Sequence, residues 1–251
     1  MSFFKNLFSG KPREPDYPRS ADYAAISTDM HSHLIPGIDD GVKSDEESAA
    51  MLREFVSLGY KKVITTPHIM NDHYRNTPEI IMDGLAKIRQ VAKDENIPIA
   101  IEAAAEYYLD DGFPSKLESG KLLTLGEKYL LFEVSYMNPP DNLSQVIFDM
   151  NIKGYKPILA HPERYPFWYP KFSEYHRLKE MGVLFQVNIG SIAGYYGPPP
   201  KKIAERMIDE DMVDFIGSDL HGDRHMHAMK QALNEKYMWK LMAKGVKNHT
   251  L

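Results

Sequence analysis

Ten histidines and no cysteine point to a metal held by nitrogen and oxygen alone. The group opens with Asp29-Met-His31-Ser-His33 and continues through Asp39-Asp40-Gly41 to Thr66-Pro-His68. Further along stand Glu106, Glu133, His161-Pro-Glu-Arg164 and Ser218-Asp219-Leu-His221. Imidazole and carboxylate without thiolate suit Mn, Fe, Zn or Mg better than softer metals. The nine candidate ligands are His31, His33, Asp40, His68, Glu106, Glu133, His161, Asp219 and His221, more than the three or four protein ligands that one zinc takes. They imply two or three ions with bridging carboxylates, which is the equipment for activating water against a phosphate ester. Without cysteine there are no disulfides and no thiolate nucleophile.

No single residue carries this argument. With ten histidines in the chain, roughly 0.4 His-X-His matches arise by chance, so the first pair alone is weak. Asp40 could be a turn residue, His68 a helix-start hydrogen-bonder, Glu133 a solvated charge and His161 a satisfied core histidine. What unites them is position relative to the elements that must carry them.

From Ala24 onward, short apolar runs alternate with helical stretches, the pattern of parallel βαβ units. Seven strands are expected, at 25–30, 62–66, 97–105, 129–134, 156–160, 183–188 and 214–218. Ser44 with Glu47 forms a capping box ahead of one helix, Gly59 stops it, and Thr77-Pro78 starts another. Gly154 and Gly182 fall where two more helices end. In a parallel barrel the residues just past the strand C-termini converge on one mouth. Six of the seven expected strands deliver a candidate ligand to that edge.

The bulk composition agrees with one barrel-sized domain: 251 residues, 43% hydrophobic and 26% charged. A net charge of −5 argues against nucleic acid as a partner, since backbone binding needs clustered Lys and Arg. No apolar run approaches the ~18 residues of a membrane span, and the N-terminus lacks a secretory signal, so a cytoplasmic location is expected. Residues 1–24 read as a flexible extension, in which Phe3, Phe4, Leu7 and Phe8 could form one apolar face, and residues 25–251 as the functional domain. His225 and His227 read as solvated or as weak substrate contacts, and His73, His176 and His249 as surface residues. The aromatics Tyr165, Phe167, Trp168, Tyr169, Tyr195 and Tyr196 either wall a pocket or pack loops over the rim.

Taken together, the motifs from Asp29 to His221, with Lys43-Ser44-Asp-Glu-Glu-Ser48, Ala105-Glu-Tyr-Tyr108 and Glu163-Arg-Tyr165, resemble the polymerase and histidinol phosphatase (PHP) superfamily. Within it, the chain looks like the manganese-dependent protein tyrosine phosphatases of bacterial capsule and exopolysaccharide loci. The resemblance implies an α/β fold, a distorted (β/α)7 TIM-like barrel, holding three metals with Mn the favoured ion. It puts one metal on His31, His33, Glu106 and Asp219, a second on Glu106, Glu133 and His161, and a third on Asp40, His68 and His221. The family's two substrate-binding arginines fall on Arg164 and, with looser alignment, Arg224.

The chemistry this implies is in-line attack on phosphorus by a metal-bridging hydroxide, with Arg164 neutralising phosphoryl oxygens. The implied substrate is a phosphotyrosine protein, with a tyrosine kinase of polysaccharide export as the implied partner. Three alternatives stay open: a PHP phosphatase of a small ester such as histidinol phosphate, a non-catalytic metal-stabilised scaffold, and a PHP-type nuclease, which the acidic net charge disfavours. A structural ion pair with Glu163 or another rim acid is the ordinary alternative for Arg164.

Overall fold

The protein was studied as a computed structural model that describes residues 17–251. Its strands are β1 (Thr28–Asp29), β2 (Lys62–Thr65), β3 (His68–Ile69), β4 (Ala100–Ala103), β5 (Glu106–Tyr108), β6 (Tyr129–Glu133), β7 (Lys156–Ala160), β8 (Leu184–Asn188) and β9 (Phe215–Gly217). All pairings between them are parallel, in the orders β1-β2-β4 and β3-β5-β6-β7-β8-β9. Parallel strands need crossovers, and helices fill them.

Two of the expected strands, 62–66 and 97–105, form as the shorter β2 and β4, and after a break each is followed, past its expected end, by a further short strand, β3 and β5. Pro67, which has no N–H to donate, separates β2 from β3, and Ala104-Ala105 separates β4 from β5. The fragments keep step: Glu106 N donates to Pro67 O at 3.1 Å, and His68 and Glu106 are direct partners in the β3–β5 register. Counting each broken pair once leaves seven strand positions in a ring. Its first and last positions meet through a parallel bridge between Ser32 and Leu220, with His33 N donating to Leu220 O at 2.9 Å and Asp219 N to His31 O at 2.8 Å. Buried Asp29 reinforces the seam by accepting from Ser218 N and Oγ, both at 2.8 Å. The architecture is therefore the expected distorted seven-stranded α/β barrel.

Packing divides the apolar interior. Met30, Ile64, Leu131, Ile158 and Phe215 form one buried cluster, and side chains from strands all round a ring can meet only inside it. That plug floors the mouth, so polar residues one step further along the strands face a dry base. The larger cluster lies between the ring and its helices. The helix Pro78–Asp94 shows how sequence sets this face: Ile81, Leu85, Ile88 and Ala92, spaced at helical intervals, are its buried residues.

The helix-start signals take their expected form with one variation. Ser44 Oγ accepts from Glu47 N at 3.3 Å, but the returning Glu47 carboxylate accepts from Lys43 N, at 2.7 Å, rather than from the Ser44 N–H. Thr77 caps Pro78–Asp94 by accepting from Ile80 N.

The boundary expected at residue 24 falls inside the folded part. Tyr23 is fully buried, stacks on Tyr60 at 5.2 Å and donates to Met229 O at 2.7 Å. The proposed apolar face of Phe3, Phe4, Leu7 and Phe8 lies outside the described residues. Among the described residues, no helix is long and apolar enough to cross a membrane.

Candidate metal centre

All nine candidate ligands arrive at the C-terminal edge of the ring. His31 and His33 follow β1, Asp40 lies on the next loop, His68 and Glu106 open β3 and β5, Glu133 ends β6, His161 follows β7, and Asp219 and His221 follow β9. Glu106 is central and fully buried. Its Oε2 lies 3.1 Å from His31 Nε2, 3.6 Å from His33 Nε2 and 3.2 Å from His68 Nδ1, while its Oε1 lies 3.2 Å from His161 Nε2. Glu133 Oε1 is 3.2 Å from His68 Nδ1, and Asp219 Oδ1 is 3.5 Å from both His31 Nε2 and His221 Nδ1. Asp40 Oδ1 stands 3.5 Å from His68 Nε2 and 3.3 Å from His221 Nε2.

Three sets of donor atoms are tight enough to share an ion: His31, His33 and Asp219; His33, Asp40, His68 and His221; and His68, Glu106 and Glu133. His33 and His68 each join two sets, so the grouping overlaps more than the one implied by resemblance. His161 joins none of the three, although it touches Glu106.

Opposed charges set each other's protonation here. Burial opposes charge on His31, but Glu106 and Asp219 outweigh it and push the imidazole up to about 9. His68 is likewise pushed up to about 10 against burial by Glu106 and Glu133, and His221 to about 9 by Asp40 and Asp219. Burial also opposes ionisation of Glu106 and Asp219, yet His31 and its neighbours hold both well below the usual carboxylate range. The cluster thus keeps its anions by holding cations beside them, a role that divalent ions held by these residues would fill in place of the imidazole protons.

The donor set fits divalent ions. It is all nitrogen and oxygen, and His68 Nδ1 and His161 Nδ1 are buried without a hydrogen-bond partner. His68 Nδ1 lies close to two carboxylates yet hydrogen-bonds to neither, as expected of donors aimed at a shared point rather than at one another.

An outer layer fixes these rings. Asp39 Oδ2 accepts from His33 Nδ1 at 2.8 Å, which puts the proton on Nδ1 and leaves Nε2 facing the cluster. For His31, Gln186 Oε1 plays that part at 2.7 Å. Gln186 Nε2 donates to Asn188 Oδ1 at 2.8 Å, and Asn188 Nδ2 donates to Asp219 Oδ2 at 2.7 Å, so one chain of amides orients both His31 and Asp219. Gly217 makes room for it, because a Cβ there would stand 2.7 Å from His31 Cβ and 2.9 Å from Gln186 Nε2. Sequence reasoning assigned no role to these residues. A signal was present: β8 supplies no ligand, yet it carries two polar residues, Gln186 and Asn188, on one face of an apolar strand. The backbone is strained at two candidates, His161 and Asp219, whose φ values of 35° and 49° are left-handed.

The cluster floors a cavity of about 560 Å³ walled in part by Met70, Tyr74, Tyr136, Tyr196 and His225. Arg164 reaches into it from the turn Pro162–Arg164 and donates from Nη1 to Asp219 Oδ2 at 2.9 Å. Its partner is not Glu163, which is buried and accepts from Asn188 N and Ser191 Oγ at 3.0 and 2.6 Å. Arg224 is not brought into the cavity. Gly222 starts the helix Asp223–Ala232 directly after His221, which leaves Arg224 exposed on the first turn while His225 faces inward. Exposed His73 lies on the cavity rim, whereas His176 and His249 are surface residues as expected. Tyr196 walls the cavity, but Tyr165 and Trp168 are buried, packing the loop beneath.

Fold and donor set define a PHP-type barrel carrying a candidate multinuclear metal centre at its C-terminal mouth. A family model described as capsular polysaccharide synthesis, CpsB/CapC, matches residues 27–248, and the chain belongs to that family. Tyrosine-protein phosphatase YwqE of Bacillus subtilis (strain 168) is 30% identical over 205 residues, covering 80% of this chain and 81% of that protein. A chain from the crystal structures of YwqE and of CpsB from Streptococcus pneumoniae, described as metal-dependent tyrosine phosphatases, matches with a TM-score of 0.76 and 28% identity over 84% of this chain and 90% of that one. Histidinol phosphate phosphatase from Lactococcus lactis shares the fold, with a TM-score of 0.50 and 12% identity over 83% of this chain and 92% of that one.

Proposed function

We propose that the protein is a metal-dependent protein tyrosine phosphatase, hydrolysing phosphotyrosine on a protein of capsule or exopolysaccharide synthesis, with a polysaccharide-export tyrosine kinase as substrate. The observation that carries this reading is the convergence of nine imidazole and carboxylate side chains beneath a cavity that Arg164 enters from the rim. Family membership supports it. The functional domain takes in residues 25–251 and Tyr23, and the location is cytoplasmic.

The ligands are His31, His33, Asp40, His68, Glu106, Glu133, His161, Asp219 and His221, with Mn the resident ion. Two or three divalent ions bound there lower the pKa of a water and offset phosphoryl charge. The remaining work falls to the chain itself. Arg164 has five N–H donors in a planar fork, so with one of them on Asp219 it keeps others for phosphoryl oxygens. Glu106 binds between three of the histidines and fixes their spacing. Met70, Tyr74 and Tyr136 offer apolar wall to an aryl ring and exclude water from its ester oxygen. A tyrosyl leaving group, with a pKa near ~10, departs with less protonation than an alkoxide needs. Arg224, on the outer turn, adds positive charge near the mouth rather than a direct clamp.

Freshly purified protein tests this. Metal content is measured alongside turnover of a phosphotyrosyl peptide and of histidinol phosphate. The expected result is two or three ions per chain and a marked preference for the peptide. Full turnover in excess chelator, or a preference for histidinol phosphate, overturns the reading.

A further inference from the structure

We propose that Tyr136 and Tyr196 are positioning residues for Arg164, seating its guanidinium between aromatic rings so that its free N–H edge is held toward the phosphoryl site. The proposal rests on the phosphatase reading above. Arg164 Cζ lies over the Tyr196 ring at 4.1 Å from its centroid and over the Tyr136 ring at 5.0 Å. Guanidinium is weakly hydrated and planar, so it stacks on aromatic faces that a lysine ammonium does not match. Its N–H groups all lie in its own plane; rings set against the plane therefore steer donation without competing for the donors.

Each ring is itself anchored. Tyr196 Oη lies 3.4 Å from Asn188 Nδ2 and 3.5 Å from Asp219 Oδ2, the oxygen that also accepts from Arg164. Its ring edge rests on Gly190, where an added Cβ would stand 3.3 Å from Tyr196 Cε2. Tyr136 stacks on His161 at 5.9 Å with planes 15° apart and touches Tyr165 at 5.4 Å. One ring thus ties the arginine to the Asp219 side of the cluster and the other to the His161 side. Asp219 divides its carboxylate accordingly, with Oδ1 toward the imidazoles and Oδ2 toward Arg164, Asn188 and Tyr196. An arginine held this way has less rotamer freedom to lose when it grips an anion, so the rings act on anion affinity and leave metal loading alone.

The test uses Mn-loaded full-length protein with Tyr136→Leu, Tyr196→Leu, the double variant, and Tyr136→Phe and Tyr196→Phe. Inorganic phosphate is the probe, both as an inhibitor of turnover and as a ligand in calorimetry, with metal content and Tm measured alongside. Each Leu variant is expected to weaken phosphate binding on the order of fivefold and to raise KM more than it lowers kcat, while each Phe variant restores most of the affinity because the ring remains. Unchanged phosphate affinity in the double Leu variant overturns the proposal. So does a loss that tracks metal content or Tm, or one that Phe fails to rescue, since that assigns the effect to scaffold or hydroxyl. Tyr136 is 38% exposed, so its Leu variant stays informative even if Tyr196→Leu folds poorly. Failure of the phosphatase reading is seen separately, as wild-type protein without turnover, and the calorimetric arm still decides the role of the rings.

Discussion

Replacing Asp39 by Asn isolates the outer layer of the metal centre. Asp39 Oδ2 meets His33 Nδ1 at 2.8 Å and accepts from His68 N at 3.2 Å, while Oδ1 accepts from Gly41 N at 2.9 Å. An Asn oxygen can keep the Gly41 bond, but its NH2 then faces a backbone N–H and an imidazole N–H. To accept from that amide, His33 must move its proton to Nε2, which turns a lone pair away from the cluster. Loss of such an orienting partner costs about 10–100-fold in metal affinity, or about 1.4–2.7 kcal/mol. The unpaired donors add roughly 1–3 kcal/mol of lost stability in the apo protein, a fall in Tm of about 3–10 °C. Burial opposes the Asp39 charge, but His33 and the Gly41 N–H hold its carboxyl below the usual range. A depressed carboxyl contributes stability that is present above its unfolded pKa, near ~3.9, and lost as pH falls through the folded value, so the variant's deficit is full at neutral pH and shrinks only in strong acid. The assay is Mn titration against a competing chelator, with apo Tm measured at pH 7 and pH 3. Wild-type Mn affinity and ion count in Asp39→Asn would refute the orienting role.

Chelation should abolish phosphatase activity and Mn restore it; Mn binding should release protons and tighten with rising pH, read by calorimetry in buffers of different ionisation enthalpy, because the imidazoles must give up protons to bind. Gly217→Ala should lower Mn affinity and Tm together, since its Cβ would press on His31 Cβ and Gln186 Nε2, and an unchanged ion count would contradict the crowding. Arg164→Ala should keep its metals yet lose phosphate inhibition and kcat/KM, Lys recovering part; Arg224→Ala should do less, being exposed outside the cavity, and equal losses at both would place Arg224 at the substrate.

Much of this molecule was legible because the barrel couples period to position. A strand alternates sides, so Leu131 enters the inner plug and Glu133, two residues on, reaches the mouth. The ligands could be read as a set for that reason alone. The outer layer was harder, since Asp39 sits in the same Asp-Asp-Gly motif as Asp40 and nothing local says which carboxylate turns to His33 and which to the cavity. Tyr136 comes from a loop without periodicity, and only the fold brings it over Arg164. The placement of Arg224 was not legible because a helix start rotates successive residues by about 100°, and a one-residue difference separates His225 inside the cavity from Arg224 outside it. The breaks after Thr65 and Ala103 reflect backbone pairing with neighbouring strands, of which proline at 67 gave the one local hint.

The seam between the two ends of the ring also dictates when the cluster can exist. Ser218 Oγ donates to His31 O across a separation of 187 residues. During synthesis, His31 and His33 emerge early, and their donor sets stay incomplete until Asp219 and His221 have left the ribosome. Contacts that distant form late in folding, after shorter loops have closed. Only a chain made past His221 can therefore assemble all three donor sets, so a product cut short before Asp219 keeps the His68, Glu106 and Glu133 set but cannot complete the other two.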